Sequence, residues 1–156
     1  MKNRIELLRD FIDELANNKP RGEFWFIARH MHVMSHFALV LAKKRNLNPE
    51  IAVMIGFLHD IHTLLTDNPE NHAELGSLKA KEILSELKIV SDDELEIICN
   101  AIKNHSSKGM IHDEYSELAK DADVLSHYLP TMPIIEHEKI RLGKLFDEFG
   151  LNKEGA

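Results

Sequence analysis

Residues 47–65 read LNPEIAVMIGFLHDIHTLL. The first letters open a helix: Asn48 can cap the first-turn amides, Pro49 suits the first helical position, and Glu50 favours the positive end of the dipole. Residues 51–58 are apolar nearly all round, the pattern of a helix at the centre of a domain. The spacing predicts one helix over 49–65. Into its last turns the sequence sets His59, Asp60 and His62. A bare carboxylate there is costly or takes up a proton, so the segment demands a partner for Asp60.

Helical periodicity continues outward from this stretch. Ile5, Leu8, Ile12 and Leu15 recur at three- and four-residue spacing and predict a helix over 3–17. Phe26, Ile27, Met34, Phe37, Ala38 and Leu41 predict a second over 23–45, closing on the cations Lys43, Lys44 and Arg45. Further helices are expected over 72–88, 92–105 (with Ser91 and Glu94 as a capping box), 114–129 and 134–149. Strand alternation and internal repeats are absent from the sequence. The reading is all-α, one domain over 1–156 with six to seven helices. Its core lies within 22–130, and an amphipathic C-terminal helix comes after it, free to pack on the domain or on a second copy.

Composition agrees. A chain of 156 residues, 44% hydrophobic and 29% charged, can bury its own core. A net charge of −7 argues against general nucleic-acid binding, which wants a basic face. An anionic substrate stays open, because a bound cation reverses the local field. Cys99 is the only cysteine, so neither an intrachain disulfide nor a cysteine zinc site is available. With no signal-like start and no apolar run of about 18 residues, the expected setting is cytoplasmic, as a monomer or homodimer.

The ten histidines are the unusual feature. RHMHVMSHFALVLA (29–42), NHAELG (71–76), AIKNHSS (101–107) and KDADVLSH (120–127) each set His or Asp beside helical apolar positions. His30 shares a face with Ile27, Met34 and Phe37; His105 follows Ile98, Ala101 and Ile102; Asp123 sits among Ala119, Ala122 and Leu125. Polar groups on core-facing stripes need a common partner. A divalent metal supplies one, since imidazole nitrogen with carboxylate oxygen suits Mn, Fe, Co, Ni or Zn.

This series resembles the HD-domain superfamily of metal-dependent phosphohydrolases, whose members show a His opening a long helix, a His-Asp pair ending an apolar helix, and a later Asp in an Ala-Asp-x-Leu context. Those positions are His30, His59–Asp60 and Asp123 here, over roughly residues 29–129. His32 and His36 stand within two turns of His30 and compete for the first place. NHAELG resembles the family's His-x-x-x-Gly and AIKNHSS its Ile-x-x-His. They imply His72 and His105 as ligands of a second metal, or as phosphate contacts, with Asp60 bridging.

The resemblance implies an HD-type helical bundle holding one or two divalent ions. The implied reaction hydrolyses a small phosphate ester or anhydride, a nucleotide being the expected substrate, with Asp60, His72 and His105 at the reacting centre and a metal-activated water as nucleophile. Arg29, Lys103, Lys108 and Lys120 are the candidate phosphate contacts. HDIHTLL lacks the Gly-Lys, or the acid three residues on, that many members carry after the pair. This keeps two alternatives in view: a di-iron oxygenase, and a binding or signalling module that has lost its chemistry. Loops 66–71 and 106–113 and the last helix are expected to set specificity. Phe24 and Trp25 could stack on a base, and Tyr128 and Pro130 could line the pocket mouth.

Overall fold

A computed structural model describes residues 2–20, 22, 26–128 and 134–151. They form eight helices: α1 (Arg4–Asn18), α2 (Ile27–Lys44), α3 (Pro49–Leu58), α4 (Ile61–Thr66), α5 (His72–Leu87), α6 (Asp92–Asn104), α7 (Glu114–His127) and α8 (Glu136–Phe149). The described residues contain no strand.

The expected caps are present. Asn48 accepts from the Glu50 amide with Pro49 at the start of α3, and Ser91 and Glu94 form the reciprocal box of α6. A second such box, Asn3 with Glu6, opens α1. One expectation fails: the helix over 49–65 is two helices. α3 ends at Leu58, and Asp60, at φ −108° and ψ 20°, stands between it and α4. Apolar periodicity runs straight across the break, so the sequence pattern hides it.

Around α3, six of whose ten residues are buried hydrophobics, the other helices assemble. It packs on α2, α6, α1 and α7; α5 lies on α6 and α4. Gly56 makes the α2–α3 approach close: a Cβ there would stand 2.7 Å from the Ser35 backbone N and nearer still to its Cα. That crossing brings the end of α3 against the start of α2. Leu142 and Leu145 turn the apolar stripe of α8 inward, and α8 packs on α7.

Salt links hold the 106–113 loop. The Lys120 ammonium, fully buried, donates to the Met110 carbonyl at 2.9 Å and to Glu117 at 2.7 Å. Arg141 of α8 donates to the Lys108 carbonyl at 2.9 Å and to Asp121 and Glu117. No helix among the described residues is long and apolar enough to cross a membrane.

Candidate metal centre

Six side chains from helix ends and helix faces converge. His30 lies in the first turn of α2. His59 and Asp60 straddle the α3–α4 break, His72 opens α5, His105 follows the end of α6, and Asp123 lies in α7. Gly76 lets α5 come close, a Cβ there standing 3.2 Å from the His59 carbonyl oxygen.

Three of the imidazoles use one local device. His59, His72 and His105 each turn Nδ1 to the carbonyl three residues back: Gly56 at 2.9 Å, Pro69 at 2.9 Å and Ile102 at 2.6 Å. A carbonyl only accepts, so Nδ1 carries the hydrogen and Nε2 presents a lone pair. These lone pairs point at one another. His59 Nε2 is 3.0 Å from His30 Nε2, and His72 Nε2 is 3.2 Å from His105 Nε2.

The carboxylates close the two sets. In the first, His30 Nε2 lies 3.2 Å from Asp123 Oδ1 and 3.5 Å from Asp60 Oδ2, and His59 Nε2 lies 3.2 Å from Asp60 Oδ2. In the second, Asp60 Oδ1 lies 3.6 Å from His72 Nε2 and 3.8 Å from His105 Nε2. One oxygen of Asp60 therefore serves each set. Lone pairs converging at such distances repel unless a cation stands between them, and Asp123 Oδ1 is buried without a hydrogen-bond partner. Three- and four-membered N/O donor sets of this kind fit first-row divalent metals.

The field of the site favours positive charge. Burial alone would raise the Asp60 carboxyl, but the His59 and His105 imidazoles outweigh it and hold Asp60 far below the usual carboxylate range. Asp123, more deeply buried, is held low by His30, Lys108 and His59. Burial and the neighbouring His59 push His105 down to about 4, so it is neutral at pH 7. Burial also works against charge on His59, yet Asp60 and Asp123 raise it overall. The same attraction would hold a metal there in place of a proton.

Of the three histidines that compete for the first place, His30 alone joins the clustered donors. His32 turns away to Asp13 at 2.7 Å, and His36 turns Nδ1 to the His32 carbonyl at an exposed position. His62 is not among the clustered side chains. Of the four expected phosphate contacts, Lys108 reaches the cluster, its ammonium 2.6 Å from Asp123 Oδ2. Lys120 is corrected: its ammonium is spent on the 106–113 loop, where His112 Nδ1 also approaches at 2.6 Å. Lys103 lines a groove with Ser77, Lys81 and Cys99. Arg29 is exposed on α2. The Tyr128 ring packs edge-on against Phe146 of α8 with centroids 5.6 Å apart; Phe24, Trp25 and Pro130 lie outside the described residues.

One member of the cluster was not expected. His127 stacks on His30, rings 4.6 Å apart and 4° from parallel, with Nε2 3.6 Å from Asp123 Oδ1. Its i+4 spacing from Asp123 was the available signal.

Residues 27–128 match the model of the HD domain family. The chain belongs to the HD domain family. Over 100 residues, 64% of this chain, it is 30% identical to ribonuclease Y of Chlorobium luteolum. The matched stretch is 17% of that protein's length. No solved structure matches the chain. The family is the superfamily of metal-dependent phosphohydrolases expected from the His-Asp series, and the matched span covers every residue of the three groups of side chains that could hold a metal, His30–His59–Asp60, His30–Asp123–His127 and Asp60–His72–His105.

Proposed function

We propose that this HD domain hydrolyses a phosphate ester or anhydride in a small molecule, a nucleotide above all, with two divalent ions held by one shared carboxylate. The observation that carries the reading is Asp60, whose Oδ2 faces His30 and His59 while its Oδ1 faces His72 and His105. His30, His59, Asp60 and Asp123 would hold the first ion; Asp60, His72 and His105 the second. Bound there, such ions lower the pKa of water toward neutrality and offset phosphoryl charge.

The protein's own part is placement. The i−3 carbonyl bonds fix three imidazoles in the tautomer that ligates. Half-buried Asp60 and buried Asp123 stay ionised and supply two negative charges. Lys108, on the outer oxygen of Asp123, is the cation placed to meet a substrate phosphate. Phosphoryl transfer asks for little beyond such positioning and charge neutralisation. The relative is named a ribonuclease, so phosphodiesters belong among the substrates tested. The chain's net charge of −7 favours short substrates over a long polyanion.

The test is phosphate release from nucleotides, phosphomonoesters and phosphodiesters with Mn²⁺ or Co²⁺, under air and anaerobically. Turnover that needs no oxygen, stops on chelation and disappears in Asp60→Ala supports the reading. Full turnover without bound metal, or turnover only with iron and oxygen, excludes it.

A further inference from the structure

Among the clustered histidines, His59, His72 and His105 have their tautomer set by backbone carbonyls, which no side-chain substitution removes. His30 is different. Its Nδ1 faces a side chain, the Ser126 hydroxyl, at 3.3 Å. That hydroxyl has one hydrogen, which it donates to the Asp123 carbonyl one turn back at 2.7 Å. Toward His30 it can therefore only accept. Nδ1 of His30 must carry the hydrogen, and Nε2 is left as the lone pair directed at Asp60, Asp123 and His59.

We infer that Ser126, with His127 beside it, is a positioning residue for His30: the last turn of α7 supplies both the Asp123 ligand and the groups that fix the tautomer and ring plane of a ligand on α2. His127 covers one face of the His30 ring in a nearly parallel stack. Ser126 closes off its outer nitrogen. The ring is thus held on two sides by consecutive residues of the helix that already contributes Asp123. The logic is that of outer-shell partners at metal sites generally, where a ligating imidazole donates its second N–H and loss of the acceptor weakens binding about 10–100-fold.

This inference rests on the two-ion reading of the site, and the experiment separates the two. The full chain is freed of metal and titrated with Mn²⁺ by calorimetry, alongside Ser126→Ala, Ser126→Cys and Ser126→Thr. The wild type is expected to show two binding steps. Ser126→Ala and Ser126→Cys, the latter keeping the shape with a slightly larger atom but offering a poor acceptor, should weaken one step about 10–100-fold and leave the other within about twofold. Ser126→Thr, which returns a hydroxyl, should restore the weakened step. His127→Phe should stay near the wild type, since a flat ring remains against His30, whereas His127→Ala should weaken the same step as Ser126→Ala. Thermal melting of the metal-free variants should be unchanged, so that a loss of affinity reports on the ligand and not on the fold. Equal affinities in wild type and Ser126→Ala, equal weakening of both steps, or no recovery in Ser126→Thr would overturn the assignment. A wild-type chain that takes up no Mn²⁺ would remove the two-ion reading itself and this inference with it.

Discussion

Gly56→Ala tests how the fold makes the site. In an exposed helix this change is favourable by about 0.8–1.0 kcal/mol, because alanine is the better helix former. Here the new methyl would stand 2.7 Å from the Ser35 backbone N, against about 3.5–4.0 Å for an ordinary contact. The atoms it meets are backbone, so α2 and α3 must part by roughly 1 Å. Overpacking of this kind costs about 1–3 kcal/mol; less the propensity gain, the net loss is about 0–2 kcal/mol. The metal site should feel the change more. His59 lies three residues beyond Gly56 and donates to its carbonyl, while its Nε2 is only 3.0 Å from that of His30 on the other helix. Metal distances tolerate about 0.2 Å, so Mn²⁺ affinity should fall by about tenfold or more. Urea unfolding of the metal-free protein gives the first number and Mn²⁺ titration the second. A variant about 1 kcal/mol more stable, with unchanged Mn²⁺ affinity, would show that the close crossing does not build the site.

Asp60→Asn should abolish binding of both ions, because each donor set uses one of its oxygens, while His105→Gln should spare the first. Element analysis after dialysis reads both, and one ion retained at full affinity in Asp60→Asn would contradict the bridge. Asp113 caps α7 by accepting from the Tyr115 and Ser116 amides, and Asp113→Ala should cost about 0.5–2 kcal/mol. Burial would raise its carboxyl, but those bonds and the Ser116 hydroxyl hold it below its ordinary 3.8. The unfolded state thus binds more protons in that window, and stability is present above 3.8 and lost as pH falls through the folded value. The wild type should therefore show a steeper acid limb in stability-against-pH curves than Asp113→Ala; parallel limbs would argue against the capping charge. Lys120→Met should cost about 1–3 kcal/mol by removing a charged donor from the Met110 carbonyl and from Glu117, both of which keep Arg141 as a donor, with Mn²⁺ affinity unchanged, and an equally stable variant would undo the structural role given to Lys120.

Much of this architecture is legible in the chain because it depends on local chemistry. Asn48-Pro49-Glu50 and Ser91 with Glu94 announce helix starts wherever they occur, and both starts are where they were expected. His30, His59, Asp60, His72, His105 and Asp123 stand out as polar letters on apolar stripes, and all six meet. What the sequence hides depends on a single residue's backbone or on distant partners. The break at Asp60 leaves the apolar pattern intact, yet it sets the His59–Asp60 pair at a junction between two helices. Lys120 reads as a surface cation, since nothing in its neighbourhood reveals that a loop ten residues earlier folds over its ammonium. His127 and Ser126 are ordinary exposed-looking letters until the angle between α7 and α2 brings them onto His30.

Anomalous scattering from a crystal soaked in Mn²⁺ addresses the shared carboxylate most directly. Two peaks are expected, one among His30, His59, Asp60 and Asp123 and one among Asp60, His72 and His105, with Asp60 touching both. Density showing Mn²⁺ elsewhere on the molecule, with these six side chains unliganded, would contradict the account.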